Sequence, residues 1–417
     1  MAVSRKLLLL VFFFISFTHG HRDLPNILKE ISQASNTFGV NLHRTKTRIS
    51  GGETNTLFSP LSIFTAFAML NVGARGETAY QLHNVLNWGV IAHPNDDIKP
   101  DDKIRKFLTS AFDKYSSDVK LANSLWVQKY FCFSVCKQYA KILQRSYFSD
   151  IRAVNFMGTP EIAREEINSW VSQRTDGKIK ELMESGSITP MTRLVLTNAI
   201  YFKSNWKYRF DQLQTAKKRF SVSRGKVVDV DMMQTETKLM YTEDAENQVV
   251  ELPYNDANIS MVIVLPQDKY GIKKLESSFT DKMLKRYLAK LSNKTVTLWL
   301  PKFKIESDIH LKDYLSLMGA RDVFDPINAD LRGITGFKGF FVTHAIHKAF
   351  VEVNEEGTEA AAATGITAGF RSINPDEVNF IANHPFIFTI IHRPSATILF
   401  HGEIVDPTVR VTSTHLK

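Results

Sequence analysis

Apolar residues recur every three to four positions along most of the first half of the chain, a pattern that predicts amphipathic helices. Ser59 and Pro60 open one of these segments in the way that is typical of a helix N-terminus. Residues 89–102 are rich in Gly, Pro, Asn and Asp, which predicts a loop. The predicted helices cover residues 29–45, 60–72, 103–115, 136–148 and 160–172, with an extended segment at 121–127.

From Leu194 onward the pattern changes to short runs of β-branched and aromatic residues, which predict strands. The predicted strands cover residues 194–202, 249–252, 260–265, 295–300, 386–391 and 397–400. No repeat and no linker separates the helical half from the strand-rich half. This order predicts one α+β domain built on large, mainly antiparallel sheets.

The first twenty residues carry the features of a cleaved signal peptide. Arg5 and Lys6 precede an apolar run from Leu7 to Phe17, and small residues follow that run. The run is too short for a membrane anchor, and no second apolar span follows it. These features predict a signal peptide at 1–20, a single domain at 21–417 and a secreted, extracellular protein.

Two sequons fit an extracellular compartment, and two cysteines leave the redox state open. Asn258 and Asn293 each begin an Asn-X-Ser/Thr sequence, which predicts N-glycosylation. Cys132 and Cys136 are the only cysteines, so no disulfide framework holds the fold. Their spacing is compatible with a local bridge or with two free thiols. Core burial must therefore stabilise the domain.

The charge and the motif content narrow the functional classes. The net charge of +9, or +7 without the two basic residues of the leader, favours polyanions such as sulfated glycans. The leader argues against a nucleic-acid partner, and no membrane partner is expected. His344 and His347 lack thiolate or carboxylate neighbours at metal spacing, so no metal site is predicted. Since the chain also lacks a Gly-x-Ser-x-Gly elbow, no enzyme activity is predicted.

Several motifs, taken in their order along the chain, point to one family. They are Asn55-Thr-Leu-Phe-Ser-Pro-Leu-Ser62, Thr65-Ala-Phe-Ala-Met69, Ile167-Asn168 with Thr175-Asp-Gly-Lys-Ile179, Leu196-Thr-Asn-Ala-Ile-Tyr-Phe-Lys203 with Trp206, and Phe380-Ile-Ala-Asn-His-Pro-Phe-Ile-Phe388. Together they resemble the serpin family over almost everything after the leader. The resemblance implies about nine helices and three mainly antiparallel sheets, with an exposed reactive-centre loop at about 355–376.

The start of this loop is similar to the hinge of inhibitory serpins. In that family the loop is exposed when intact, and after cleavage its first part inserts as a new central strand of the main sheet. Alternate residues then face the core, and the small side chains of Thr358, Ala360, Ala362 and Thr364 suit that position. The full hinge is Glu355, Glu356, Gly357, Thr358, Glu359, Ala360, Ala361, Ala362, Ala363 and Thr364.

Counting from the hinge by the family's usual loop length places the reactive bond between Arg371 and Ser372. Arginine at this position suits a specificity pocket with an acidic floor, as in trypsin-like proteases. Phe370 precedes it as a subsite residue, a combination that resembles kallikrein-like or broad trypsin-like preferences. A register shifted by one residue would make Phe370 the recognised residue, and a chymotrypsin-like protease would then be the target.

The resemblance also assigns a polar cluster and an ion pair that control opening of the main sheet. Ser59, Ser62, Asn198 and His347 fall at the family's shutter, although satisfied core polar groups would look the same in a sequence. A hinge ion pair between a glutamate and a lysine of a neighbouring strand is also implied. Its members here are Glu355 and Lys302.

A basic segment is a candidate for binding heparin or another glycosaminoglycan. Its residues are Lys103, Arg105, Lys106 and Lys114, with Lys129, Lys137 and Lys141 as extensions. A solvated helix face explains such spacing equally well. Apart from such a glycan, no cofactor is expected.

The resemblance leaves two functional classes. The first is an irreversible suicide inhibitor of a trypsin-like or kallikrein-like serine protease, acting as a monomer. The second is a non-inhibitory serpin that serves as a carrier, chaperone or storage protein. Non-inhibitory relatives tend to carry charged or bulky hinge residues, so the small residues after Thr358 favour the inhibitor.

Overall fold

The computed structural model describes residues 3–51, 54–94, 96–111, 118–132, 137–358 and 377–414. The expected leader falls in the first part of helix α1. The helices of the described residues are α1 (Val3–Ser50), α2 (Pro60–Gly73), α3 (Gly76–Val85), α4 (Pro100–Ala111), α5 (Lys129–Cys132), α6 (Lys137–Ile142), α7 (Pro160–Arg174), α8 (Ile272–Ser278), α9 (Asp281–Lys290), α10 (Leu311–Met318) and α11 (Arg332–Thr335). None of them is long and apolar enough to cross a membrane.

Helix α2 lies at the centre of the molecule. The Ser59 hydroxyl accepts a hydrogen bond from the Ser62 amide (3.2 Å), and Pro60 occupies the first turn, as the sequence predicts. The helix contains no charged residue, and nearly all of its side chains are buried. A helix that is apolar on every side is stable only when other elements surround it.

The strands form two hydrogen-bonded networks within the described residues. They are β1 (Thr56–Phe58), β2 (Val119–Gln128), β3 (Asp150–Val154), β4 (Leu194–Phe202), β5 (Ser204–Asn205), β6 (Ala216–Ser223), β7 (Lys226–Glu243), β8 (Asn247–Pro253), β9 (Ile259–Pro266), β10 (Ser292–Pro301), β11 (Phe303–His310), β12 (His344–Val353), β13 (Gly357–Thr358), β14 (Glu377–Ile381), β15 (Phe386–His392), β16 (Thr397–Ile404) and β17 (Val411–Thr414). The α+β fold class is thereby confirmed.

The first network, called here the main sheet, has the order β17-β11-β12-β4-β2-β3, with β13 and β5 beside β12 at one end. The second network joins nine strands in the order β1-β16-β15-β9-β8-β7-β10-β14, with β6 on β7. The 18-residue strand β7 takes part in both arms of the second network. The three sheets that the resemblance implies are therefore present as the main sheet and two arms that share β7.

Helix α7 crosses the outer face of the main sheet. Ile167 and Val171 of this helix are fully buried against Trp126 of β2 and Tyr201 of β4. Trp170 is partly buried and packs edge-on against Trp126, with ring centroids 5.6 Å apart. This packing places α7 over β2 and β4 of the main sheet.

Candidate functional site

The site is built where two central strands of the main sheet meet. Strands β4 and β12 pair in parallel from Val195–His344 to Tyr201–Phe350, a pairing called here the β4–β12 seam. Beyond Tyr201 and Phe350 the two strands separate, and the short strand β13 occupies the space between β12 and β5. The main sheet is thus closed along the seam and already holds a two-residue strand at one end.

A tight turn after β12 brings the chain back into the sheet. The Asn354 side chain accepts hydrogen bonds from the amides of Glu356 (3.0 Å) and Gly357 (3.2 Å). Gly357 has φ +153°, and a Cβ at this position would lie 2.2 Å from the Ser204 carbonyl oxygen. Only glycine allows so close an approach between the two backbones. The Gly357 of the predicted hinge is therefore a structural requirement of the turn.

Thr358 is the first hinge residue that lies inside the sheet. It is fully buried and pairs with Val353 on one side and Ser204 on the other. Its hydroxyl lies 2.9 Å from the Tyr254 hydroxyl. The inward direction that strand alternation predicts for Thr358 is the one that the structure has.

Glu355 and Lys302 are brought together as the resemblance implies. The Lys302 ammonium lies 2.9 Å from the Glu355 carboxylate, which also accepts a hydrogen bond from the Thr215 hydroxyl (2.8 Å). The glutamate side chain is 6% exposed and the lysine side chain 39%. Burial alone would raise the pKa of Glu355, but Lys302, the Glu355 backbone amide and the Thr215 hydroxyl hold it below its usual value.

The backbone on either side of this ion pair is also fixed. The Glu355 carbonyl accepts a hydrogen bond from the Phe210 amide, and the Glu356 carbonyl accepts one from the Trp206 amide, both at 2.9 Å. The Trp206 indole donates to the Asn354 carbonyl at 2.9 Å. The segment after β5 therefore holds the turn of the hinge through three hydrogen bonds.

The four predicted shutter residues form one buried network under the seam. The Ser59 amide donates to His347 Nε2 (3.1 Å), and His347 Nδ1 contacts the Asn198 side-chain oxygen. The Asn198 amide nitrogen donates to the Ser62 hydroxyl (2.7 Å) and to Asn123 Oδ1 (2.5 Å). Asn198 and His347 face each other across the seam, since they are register partners of β4 and β12.

The hydrogen-bond directions define the charge state of His347. Nε2 accepts a backbone N–H, so the proton of the neutral ring is on Nδ1 and is donated to Asn198. Complete burial lowers the pKa of His347 to about 3. The network is therefore uncharged at neutral pH and couples α2 to both strands of the seam.

Asn123 and Tyr254 are site residues that sequence reasoning missed. Asn123 and Ser124 interrupt the apolar residues of β2, a signal that could have identified Asn123. Tyr254 follows β8 and is distant from the hinge in sequence. Nothing in its local sequence marks its contact with Thr358.

One expectation about the basic segment is wrong. Lys103 is not on a solvated face, since its side chain is 4% exposed and pairs with Glu30 (2.7 Å) and Asp96 (2.5 Å). Helix α4 packs against α1, and this packing turns Lys103 inward. Arg105 and Lys106, on the same helix, are partly exposed. Lys103 therefore serves the packing of the domain and is not available to a glycan.

The remaining predicted site residues are either exposed on the surface or lie outside the described residues. Both sequon residues, Asn258 and Asn293, are exposed. The residues named in the sequence analysis that lie outside the described residues are Glu359, Ala360, Ala361, Ala362, Ala363, Thr364, Phe370, Arg371, Ser372, Lys114 and Cys136. The described chain resumes in β14, which pairs in parallel with β10.

Comparisons with known proteins agree with this architecture. The family model described as serpin (serine protease inhibitor) matches residues 33–407. The chain is 38% identical to leukocyte elastase inhibitor of Bos taurus, over 91% of this chain and 100% of the relative. It is 35% identical to intracellular coagulation inhibitor 2 of Tachypleus tridentatus, over 90% of this chain and 91% of the relative.

A solved structure shows the same fold. Serpin48 of Tenebrio molitor, described as a highly specific serpin, has a TM-score of 0.78 and 31% sequence identity to this chain. The match covers 92% of this chain and 98% of the other. The chain therefore belongs to the serpin family, as a protease inhibitor and not an enzyme.

Proposed function

We propose that this chain is a secreted, single-use inhibitor of an Arg-cleaving, trypsin-like serine protease, which attacks the bond between Arg371 and Ser372. The observation that carries the proposal is the position of Thr358. It already lies in the strand register that an inserted loop would continue, at the end of the β4–β12 seam. Strand alternation directs Glu359 outward, and four alanines follow it, so the loop can extend between β4 and β12 without overpacking.

The chemistry of trapping begins as ordinary proteolysis. The protease's serine oxygen attacks the Arg371 carbonyl carbon, and the bond to the Ser372 nitrogen breaks. An ester forms on Arg371, and the protease's histidine delivers the proton to the leaving amine. Water would then hydrolyse the ester, unless the acyl-enzyme is distorted first.

Loop insertion supplies that distortion. At about 3.3 Å per strand residue, insertion of about fifteen residues moves the attached protease roughly 50 Å. Pulling the acyl group out of the oxyanion hole removes the donors that stabilise the deacylation transition state. The inhibitor is consumed because the inserted strand does not come out again.

The energy for this movement comes from the main sheet. Insertion breaks one parallel pairing along the β4–β12 seam and forms two new pairings, one on each side of the loop. A net gain of about ten hydrogen bonds at roughly 1 kcal/mol each amounts to ~10 kcal/mol. The uncleaved fold is then metastable, and the shutter network and the Glu355–Lys302 pair act as kinetic restraints on opening.

The specificity rests on Arg371, whose guanidinium matches an acidic pocket floor. The proposed secretion rests on the leader pattern of residues 1–20 and on the exposed sequons. The word intracellular in the name of the similar coagulation inhibitor describes the compartment of that relative and not of this chain. Expression in a secretory host tests the compartment. The host should release into the medium a glycosylated chain that lacks the leader. Retention of the leader would contradict it.

Incubation with trypsin tests the mechanism. Wild-type protein should form a covalent complex that survives boiling on a denaturing gel. Clean cleavage without a complex would contradict inhibition and would favour a carrier or storage role. Arg371→Leu should lose the complex with trypsin. A complex with chymotrypsin that survives Arg371→Leu and is lost in Phe370→Ala would shift the register by one residue.

Two hinge variants separate insertion from recognition. Thr358→Arg places a charge at a fully buried position, so the variant should be cleaved without trapping the protease. Glu359→Arg is the matched control, because strand alternation directs this neighbour outward. Equal loss of complex in both variants would contradict the proposed direction of insertion.

A further inference from the structure

Tyr254 connects the hinge to the second network of strands. Its ring stacks on Trp206 at 4.4 Å and 15°, and it meets Phe202 edge-on at 4.9 Å. An isolated antiparallel bridge joins the Trp206 and Tyr254 backbones. Tyr254 is fully buried, so its ring position is fixed on all sides. A rigid aromatic platform therefore presents one hydroxyl group to the hinge.

The Tyr254 hydroxyl has a defined partner. It lies 2.9 Å from the Thr358 hydroxyl, and both side chains are 0% exposed. Burial raises the pKa of Tyr254, so the phenol stays protonated. Because both side chains are fully buried, loss of either hydroxyl deprives the other of this partner, which is costly for a buried polar group.

The pairing of Thr358 makes this contact relevant to insertion. Thr358 already has one strand on each side, Val353 in β12 and Ser204 in β5. An inserted loop would continue from this residue into the β4–β12 seam, so Thr358 does not need to change its partners. Strand formation is slowest at its first paired residues, because the chain loses conformational entropy before most of the stabilising contacts form.

We propose that Tyr254 is a positioning residue that holds Thr358 as the preformed first residue of the inserted strand. It thereby sets how fast the loop enters the sheet after cleavage. This inference rests on the proposed inhibitory function. After acylation, insertion competes with hydrolysis of the ester, and the ratio of the two rates decides how much protease is trapped. Tyr254 therefore controls the efficiency of trapping and not the recognition of the protease.

The test removes single hydroxyl groups while keeping the shape of each side chain. Tyr254→Phe retains the stack on Trp206, and Thr358→Val retains the β-branched shape. With trypsin as the probe, each variant should insert its loop about five- to tenfold more slowly, the scale of one buried hydrogen bond. More inhibitor should then be consumed for each trypsin trapped, whereas the rate of acylation at Arg371 should not change.

Two further variants separate positioning from general stability. Thr358→Ser keeps the hydroxyl and should restore insertion to near the wild-type rate. Tyr287→Phe is the matched control, since its buried hydroxyl donates to Asp244 (2.8 Å) far from the hinge. It should lower the heat stability of the protein without changing the stoichiometry of inhibition.

The double variant of Tyr254 and Thr358 completes the test. If the two hydroxyls act on each other, the double variant should insert no more slowly than the slower single variant. Independent, additive effects would overturn the proposal, as would wild-type insertion in Tyr254→Phe. If wild-type protein forms no complex with trypsin, the proposed inhibitory function fails. The role of Tyr254 is then tested on the cleaved chains alone. Loop insertion increases heat resistance, so the rate at which each cleaved variant gains heat resistance reports its rate of insertion.

Discussion

Acidification should weaken the shutter through one residue, His347. The Ser59 amide donates to its Nε2. A protonated Nε2 could no longer accept this hydrogen bond and would face a second donor. The ring is also completely buried, and burial lowers its pKa to about 3. The folded state therefore resists protonation well below the pH at which an exposed histidine takes up a proton.

The magnitude follows from the two pKa values. An unfolded histidine titrates near pH 6.5, and each pH unit between the two pKa values changes the free energy of unfolding by about 1.4 kcal/mol. Since the folded pKa is the lower one, only the unfolded or opened state takes up the proton as the pH falls. His347 should therefore reduce the free energy of unfolding by about 3 kcal/mol between pH 7.5 and pH 4.5.

The assay compares wild-type protein with His347→Gln, which keeps a neutral hydrogen-bonding side chain. Urea unfolding, followed by tryptophan fluorescence, is measured from pH 7.5 to pH 4.5. Other buried histidines, such as His43, titrate in both proteins, so the difference between the two pH profiles isolates His347. The difference in unfolding free energy should shrink as the pH falls. Parallel pH profiles for the two proteins would refute the reasoning.

The hinge ion pair and the charge cluster around Lys103 give the remaining predictions. Lys302→Ala leaves the buried Glu355 carboxylate without its cation, so it should promote polymer formation on heating more strongly than Glu355→Gln does. Glu352→Gln, which removes a more exposed ion pair on β12, should change heat-induced polymer formation little, and an effect equal to that of Lys302→Ala would contradict the hinge role. Lys103→Met should lower thermal stability by roughly 1–3 kcal/mol because it removes the buried cation that Glu30 and Asp96 share, whereas Lys106→Ala should have little effect in the same thermal scan. Unchanged stability in Lys103→Met would contradict the assignment of that lysine to packing.

Features that a local pattern encodes could be predicted from the sequence. The β4 strand begins and ends where its apolar run predicts, and Ser59 caps α2 as expected. The long strand β7 was missed because one of its faces is exposed and carries polar residues, which weakens the apolar signal. Periodicity therefore identifies elements that bury most of their surface better than elements that bury half of it.

Contacts between distant segments were predicted only where the family resemblance supplied them. Asn198 and His347 meet across the seam as the resemblance implies. No such guide existed for Tyr254, whose partner is more than a hundred residues away. Lys103 was misassigned because helical spacing does not show which face of α4 packs on Glu30 of α1. The spacing of basic residues along a helix predicts a basic surface only when the face that packs against the neighbouring helix is known.

In the proposed mechanism, Arg371 remains bonded to the protease while the chain that begins at Ser372 is released. The most direct measurement is mass spectrometry of the boiled complex with trypsin. The complex should carry an ester-linked protease on Arg371, together with a free peptide that starts at Ser372. Free, active trypsin beside a cleaved chain without any bonded protease would contradict it.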